Sequence, residues 1–167
     1  MSASGKTTLS KAISGLIKNA IPNHVLVDGD AVRELYGNDL DYSEASRAIQ
    51  IDRLRNLARF LANQGQLVVV AALYSHPKLL AANRLTFSDG YFEVYLKADM
   101  DLLKKRDKKG LYSSNTLEAI QNVVGVDIPW NPPENPDYVI NSSMQASPEV
   151  IAKELIQHIS ELHAVIK

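Results

Sequence analysis

The stretch Ser4-Gly5-Lys6-Thr7-Thr8 decides how the rest of this sequence is interpreted. It matches the second half of the phosphate-binding pattern G-x-x-x-x-G-K-[ST]. In that pattern glycine lets backbone N–H groups approach a triphosphate, lysine reaches the β- and γ-phosphates, and the first threonine hydroxyl is a ligand for Mg²⁺. A glycine turn that caps an ordinary helix is the plain alternative, because the first glycine of the pattern would fall one position before Met1.

Helix and strand patterns alternate along the chain after this loop. Apolar residues recur at helical spacing over 9–20 and 43–63, and the second of these helices is expected to turn Ile49 and Leu54 inward. The continuous apolar run at 67–72 is typical of a strand covered on both faces. The other predicted elements are strands at 24–27, 91–96 and 138–140 and helices at 77–87, at 99–106 and from Ser147 to the end of the chain. Such alternation predicts an α/β fold with a parallel sheet flanked by helices.

A phosphate-binding loop normally follows a central strand, and no residues precede this one. We therefore expect the first strand of the sheet to be missing from the given chain. The full protein is expected to begin with a short apolar strand that ends in glycine.

Composition excludes several classes of protein. A chain of 167 residues is most simply one domain, here 1–167, and a net charge of −1 argues against a nucleic-acid partner. The absence of cysteine excludes disulfides, thiol catalysis and thiolate metal sites. No apolar run approaches the roughly 20 residues of a membrane span and no signal peptide is visible, so no membrane partner is expected and a cytoplasmic location is predicted.

Polar residues follow the predicted strands where a parallel sheet binds its ligands. Asp28 and Asp30 come after the first strand and Ser75 after the second, so all three should converge with the phosphate-binding loop. Phosphoryl transfer requires positioning and charge neutralisation. We expect Lys6 to neutralise the β- and γ-oxygens, Thr7 and Asp28 to hold Mg²⁺, and Asp30 to accept the proton of the acceptor hydroxyl. A β-turn is the alternative explanation for Asp28 and Asp30.

Further short patterns recur in a fixed order. They are Asp28-Gly29-Asp30-Ala31-Val32-Arg33, Leu40-Asp41-Tyr42-Ser43 with Arg47 beyond, Lys109-Gly110-Leu111-Tyr112, Gly125-Val126-Asp127 and Pro133-Glu134-Asn135-Pro136. Together with the phosphate-binding loop, they resemble the adenylylsulfate kinase family over nearly the whole chain. The resemblance implies a three-layer P-loop NTPase fold and an enzyme that transfers the γ-phosphate of ATP to the ribose 3′-hydroxyl of adenylylsulfate, giving 3′-phosphoadenylylsulfate. It also implies Mg²⁺ as cofactor, small nucleotides as substrates and a homodimer.

The same resemblance assigns contacts by position, with segment 108–125 as a lid that closes over the substrates. By pattern alone, Arg33 and Arg47 suit solvated helix positions, Arg106 a salt-bridged helix end, and Ser75 an N-cap. The implied ATP-binding residues are Ser4, Gly5, Lys6, Thr7, Thr8 and Arg106. The implied acceptor-binding residues are Asp30, Arg33, Tyr42, Arg47, Gln50, Ser75, Lys109, Leu111 and Val123.

The departures from the family pattern cluster on the acceptor side. Members usually carry phenylalanine at the positions of Tyr42 and Val123, where two rings sandwich the acceptor's adenine. They carry asparagine and arginine where this chain has Gln50 and Asp52, and basic residues at 113–116. Losing one of the two stacking rings costs on the order of 1–3 kcal/mol of binding free energy for the base.

Three other functions therefore stay open. The first is the same transfer to another activated nucleotide, such as a CDP-linked intermediate (for example cytidine diphosphoramidate) of capsule or polysaccharide modification. The second is a non-catalytic nucleotide-binding regulatory protein, which Lys6, Thr7, Asp28 and Asp30 argue against. A gluconate- or shikimate-type small kinase is a weaker enzyme alternative.

Overall fold

Parallel strands lie between helical layers in the computed structural model, which describes residues 1–107, 110–112, 121–143 and 146–166. Residues 1–5 form turns that lead into the first helix. The elements are α1 (Lys6–Ile17), β1 (Val25–Asp28), α2 (Gly29–Leu35), α3 (Glu44–Ala62), β2 (Val68–Ala71), α4 (Pro77–Phe87), a 3₁₀ turn (Ser88–Gly90), β3 (Val94–Lys97), α5 (Met100–Arg106), β4 (Tyr138–Asn141), α6 (Pro148–Gln157) and α7 (Ser160–Val165). None of these helices combines the length and hydropathy that a membrane crossing requires.

The strands pair in parallel, as the alternation predicts. β1 pairs with β2, with Asp28 opposite Ala71, and β3 pairs with β4, with Leu96 opposite Ile140. Among the described residues these strands form two separate pairs, and β2 is not hydrogen-bonded to β3. Both pairs nevertheless pack on one shared apolar cluster, which Val69 of β2 and Leu96 of β3 contact.

Successive residues of β2 enter different cores, which makes the architecture three-layered. Val69 packs against the cluster built by α1 and α6, which contains the fully buried Ile17 and Leu155. Val68 packs against a second cluster, which contains Leu54 of α3. Because neighbouring side chains of a strand point to opposite faces, β2 lies between a layer formed by α1 and α6 and a layer formed by α3.

Helix α3 turns a partly polar face towards the interior. Ile49 is 47% exposed, so the prediction that it points inward is wrong, whereas Leu54 is buried as predicted. The buried face of α3 begins with Arg47 and Gln50 and continues through Ile51 and Leu54. These positions share one helical stripe, and Ile49 lies on the opposite side. Apolar periodicity does not reveal this face, because two of its buried positions are the polar residues Arg47 and Gln50.

Two more elements differ from their predictions. No helix was predicted directly after β1, but the Asp28 side chain accepts a hydrogen bond from the Asp30 N–H (2.9 Å) and starts α2, which excludes the alternative of a β-turn at 28–30. The predicted closing helix is two helices, since α6 ends at Gln157 and α7 begins at Ser160. Its start is as predicted, with Ser147 as N-cap and proline in the first turn.

Candidate active site

The phosphate-binding loop begins α1 with a left-handed residue. Gly5 has φ of +98°, a conformation that side chains disfavour, and its carbonyl accepts the Leu9 N–H at 2.9 Å. The Lys6 ammonium donates to the carbonyl oxygen of Met1 at 2.6 Å and lies 3.4 Å from the Ser4 hydroxyl. The lysine is thus held over its own loop, where a triphosphate would be bound.

A hydroxyl and a carboxylate meet where α1 begins and β1 ends. Thr7 Oγ1 donates to Asp28 Oδ2 at 2.7 Å, while Asp28 Oδ1 accepts the Asp30 N–H. Mg²⁺ takes hard oxygen ligands and is usually held by one or two protein groups together with substrate phosphates. Across the described residues no group of three or more histidines and carboxylates could hold a metal alone. The donor set of Thr7 and Asp28 therefore fits a Mg²⁺ ion that arrives with a nucleotide.

Arg33 lies on α2, the helix that Asp28 starts. Its side chain is buried, with the residue 7% exposed, and its Nη1 donates to the carbonyl oxygens of Leu40 (3.2 Å) and Asp41 (3.1 Å). Arg33 follows Asp30 on the same short helix, so the N-cap at Asp28 orients both residues.

Arg47 approaches from the first turn of α3. It is 8% exposed, and it donates from Nε to the carbonyl oxygen of Tyr42 (2.9 Å) and from Nη2 to that of Asn122 (2.7 Å). Burial, followed by the charge of Arg33, lowers the pKa of Arg47. The guanidinium carbons of Arg33 and Arg47 lie 4.8 and 5.5 Å from the centroid of the Tyr42 ring.

The guanidinium groups of Arg33 and Arg47 are buried and make no ion-pair contact with a carboxylate of the described residues. Their contacts are neutral carbonyls and one aromatic ring. Because a buried charge without a partner is costly, this arrangement favours binding of an anion.

Gln50 brings an unsatisfied acceptor to the same region. Its Nε2 donates to the carbonyl oxygen of Gly29 at 3.0 Å, and its Oε1 is buried with no hydrogen-bond partner in the part of the chain that is described. Ser75 Oγ is likewise buried and unpartnered. The N-cap of α4 is His76, so a capping role for Ser75 is wrong. Ser75 also does not line the cavity described next.

One cavity of about 790 Å³ brings most of the predicted site residues together. Ser75 is the described exception, and Lys109 lies outside the described residues. The roles given to individual residues stay predictions. The predicted residues that line the cavity are Ser4, Gly5, Lys6, Thr7, Thr8, Asp28, Asp30, Arg33, Tyr42, Arg47, Gln50, Arg106, Leu111 and Val123.

The structure adds a contact that sequence reasoning missed. The Tyr112 N–H donates to Asp107 Oδ2 at 2.6 Å, and the buried Tyr112 hydroxyl reaches the carbonyl oxygen of Ser2 at 3.4 Å. Burial is the main cause that raises the pKa of this phenol. One end of the predicted lid, 108–125, is thus tied to the phosphate-binding loop, while its residues 108–109 and 113–120 lie outside the described ranges. The sequence signalled Tyr112 only as part of a motif and gave no partner for it.

The cavity is lined by an ammonium, a hydroxyl–carboxylate pair and two guanidiniums that form no ion pair with a described carboxylate, and this set of groups suits two anionic ligands at once. Such a set, on a sheet flanked by helices, is typical of a nucleotide kinase.

Comparison with known proteins gives the family. The family model for adenylylsulphate kinase matches residues 1–141. An adenylyl-sulfate kinase of Chloroflexus aurantiacus is 32% identical over 167 residues, covering 100% of this chain and 89% of that protein. A cytidine diphosphoramidate kinase of Campylobacter jejuni is 35% identical over 159 residues, covering 93% and 92%. The chain therefore belongs to the adenylylsulfate kinase family and is a nucleotide kinase.

The solved structures agree on the fold. An APS kinase of Mycobacterium tuberculosis in complex with AMPPNP and APS superposes with a TM-score of 0.85 at 30% identity, covering 96% of this chain and 93% of that one. The three-layer P-loop kinase fold expected from the resemblance is confirmed.

Proposed function

We propose that the protein transfers the γ-phosphate of ATP to the ribose 3′-hydroxyl of adenylylsulfate. The observation that carries this proposal is the pair of buried guanidiniums of Arg33 and Arg47, which form no ion pair among the described residues, on the cavity that Lys6 also lines. An enzyme that transferred the phosphate to water, or a protein that bound only ATP, would have no need for a second cationic site. A guanidinium binds sulfate or phosphate oxygens through paired hydrogen bonds, so Arg33 and Arg47 suit the sulfate–phosphate anhydride of the acceptor.

The reaction assigns distinct tasks to the residues of the cavity. Lys6 would neutralise the β- and γ-phosphate oxygens, and Arg106 would contact the ATP side. Thr7 and Asp28 would hold Mg²⁺, which supplies further charge neutralisation when bound. The acceptor 3′-oxygen attacks the γ-phosphorus, the bond to the β-phosphate oxygen breaks, ADP leaves, and Asp30 takes the hydroxyl proton.

A CDP-linked acceptor is the second candidate. Val123 lines the cavity at a position where the family resemblance implies an aromatic ring, and Tyr42 lies on the same cavity. A single aromatic wall suits a smaller base, because less stacking area is lost for a pyrimidine. The similarity to a cytidine diphosphoramidate kinase supports this alternative as well.

Acceptor profiling tests both candidates. ADP release is measured with ATP, Mg²⁺ and either adenylylsulfate or cytidine diphosphoramidate, and the position of the new phosphate is determined by NMR. Turnover of adenylylsulfate at the 3′-hydroxyl supports the first proposal. Turnover of the cytidine compound alone would replace it with the second, and ATP binding without turnover of either would favour a regulatory protein.

Arg33→Gln should weaken binding of the acceptor and leave binding of ATP unchanged. We expect the acceptor KM to rise about 10- to 100-fold, the equivalent of one lost charge-assisted hydrogen bond, with the KM for ATP unchanged. Steady-state kinetics with each substrate varied in turn measures this. The matched control is Arg59→Gln on the exposed side of α3, which should change neither constant. An unchanged acceptor KM in Arg33→Gln would contradict the anion site.

Val123→Phe should move acceptor preference towards adenine. The ring restores a stacking face worth on the order of 1–3 kcal/mol, so the ratio of kcat/KM for adenylylsulfate to that for the cytidine compound should rise about tenfold or more. Thermal unfolding of the variant must accompany the kinetics, since Val123 is closely packed. A folded variant with an unchanged ratio would show that position 123 does not select the base.

Two further expectations have no test in the geometry: the homodimer that the resemblance implies and the cytoplasmic location that the composition predicts. Both stay predictions, and sedimentation analysis of the purified protein would decide the first of them.

A further inference from the structure

The loop after the lid is built around one carboxylate. Asp127 accepts the backbone N–H groups of Asn122 and Val123, each at 2.5 Å, through its two separate oxygens. The Val123 carbonyl in turn accepts the N–H groups of Val126, Asp127 and Ile128 at 3.0 to 3.2 Å. We call residues 122–128 the Asp127 turn. Its backbone is closed on itself, with Val123 at the centre.

Three residues of the Asp127 turn line the cavity, namely Asn122, Val123 and Val124. The carbonyl oxygen of Asn122 accepts from Arg47 Nη2 at 2.7 Å, and Asn122 holds a left-handed φ of +64°. Val123 is 5% exposed and packs with Leu103 and Tyr112 while it lines the cavity. The orientation of this one peptide therefore sets both a guanidinium contact and the wall at position 123.

Asp127 itself stays outside the cavity. Its side chain is exposed, and it is not among the cavity-lining residues. Loss of hydration tends to raise the pKa of Asp127, but backbone N–H groups at 122, 123, 127 and 128 outweigh this and hold the pKa below its usual value. The carboxylate is ionised when it caps the turn, which strengthens its bonds to the two N–H groups.

We propose that Asp127 is a positioning residue for the nucleotide acceptor, because it fixes the main chain that orients Arg47 and Val123 relative to each other. The inference rests on the proposed function, since it concerns the acceptor of the same reaction. The hydrogen bonds of Lys6 and Thr7 described above go to Met1, Ser4 and Asp28, whereas the turn holds Arg47 directly through Asn122. The effect of losing Asp127 should therefore fall mainly on the acceptor.

Asp127→Asn is the variant that tests this role. The asparagine keeps one acceptor oxygen but turns an NH₂ group towards a backbone N–H, so the turn loses one of its two caps. We expect the acceptor KM to rise on the order of tenfold, because small misplacements of binding groups carry large costs, while the KM for ATP stays unchanged. Asp127→Glu, which retains two acceptor oxygens, should recover part of the loss.

Asp137→Asn is the matched control. Asp137 Oδ2 also accepts a backbone N–H, that of Glu93 at 2.6 Å, but Asp137 does not line the cavity. This control should lower thermal stability and leave both KM values unchanged. Equal KM values for Asp127→Asn and the wild type would overturn the proposal, and so would a parallel rise in the KM for ATP.

Hydrogen exchange tests the positioning role of Asp127 separately from the proposed function, in case the wild type phosphorylates neither acceptor. That result would contradict the proposed function. The amides of Asn122 and Val123, followed by NMR in Asp127→Asn, then decide the role of Asp127. Faster exchange at these two amides, with unchanged exchange in α1, supports the positioning role, and unchanged exchange overturns it.

Discussion

Lys6→Met is expected to lower kcat by about 1,000-fold with the fold intact, the range found when one preorganised charge-stabilising donor is removed from a transition state. Charge develops on the phosphate oxygens during transfer, and the ammonium of Lys6 is held over the loop that would bind them. Methionine keeps much of the aliphatic length and removes the charge. The measurement is ADP release under saturating substrates, with circular dichroism to check the fold.

Lys11→Met is the control for this experiment. Lys11 lies on the same helix, is exposed and does not line the cavity, so its substitution should leave kcat unchanged. If Lys6→Met retained wild-type turnover, the assignment of the loop as the ATP phosphate site would be wrong.

Asp30→Asn is expected to lower kcat by about 100- to 10,000-fold, the usual contribution of a general base, without changing the Mg²⁺ concentration at half-maximal rate. Asp28→Asn should instead raise the Mg²⁺ concentration required, because Asp28 is the carboxylate that meets Thr7 Oγ1. Asparagine is also a good N-cap, so α2 should still form in Asp28→Asn and the two variants can be compared directly.

A Mg²⁺ titration of both variants distinguishes the two roles. Wild-type turnover in both variants would show that the proposed chemistry is wrong. An identical Mg²⁺ response in both would show that the division between a metal-side and an acceptor-side carboxylate is wrong, even if each variant is slow.

The fold was largely predictable from local patterns. The apolar stripes of α1 and α6 and the apolar run at β2 are strong signals because each buries one face or both faces against a core. α2 was missed because seven residues are too few to show a period, and its start depends on the Asp28 side chain. The inward position predicted for Ile49 was wrong because the buried face of α3 carries Arg47 and Gln50 instead.

The site was predictable where side chains carry its chemistry and hidden where the backbone does. Lys6, Thr7, Asp28 and Asp30 follow from the loop motif and from the rule that ligands gather at the carboxyl ends of parallel strands. The partners of Arg33 and Arg47 are main-chain carbonyls, which any residue supplies, so no sequence pattern could reveal them. Asp127 is hidden for the same reason, since both of its partners are amide groups.

The two oxygens of Asp28 have separate neighbours, and this separation matters for turnover. One oxygen secures the first turn of α2, and the other accepts from a hydroxyl at the edge of the phosphate-binding loop. Ligand exchange at that edge can break the hydroxyl contact without loosening the helix. Asp30, the proposed base for the acceptor, would thus keep its place through each cycle of loading and release, so that the nucleotide would not have to rebuild it.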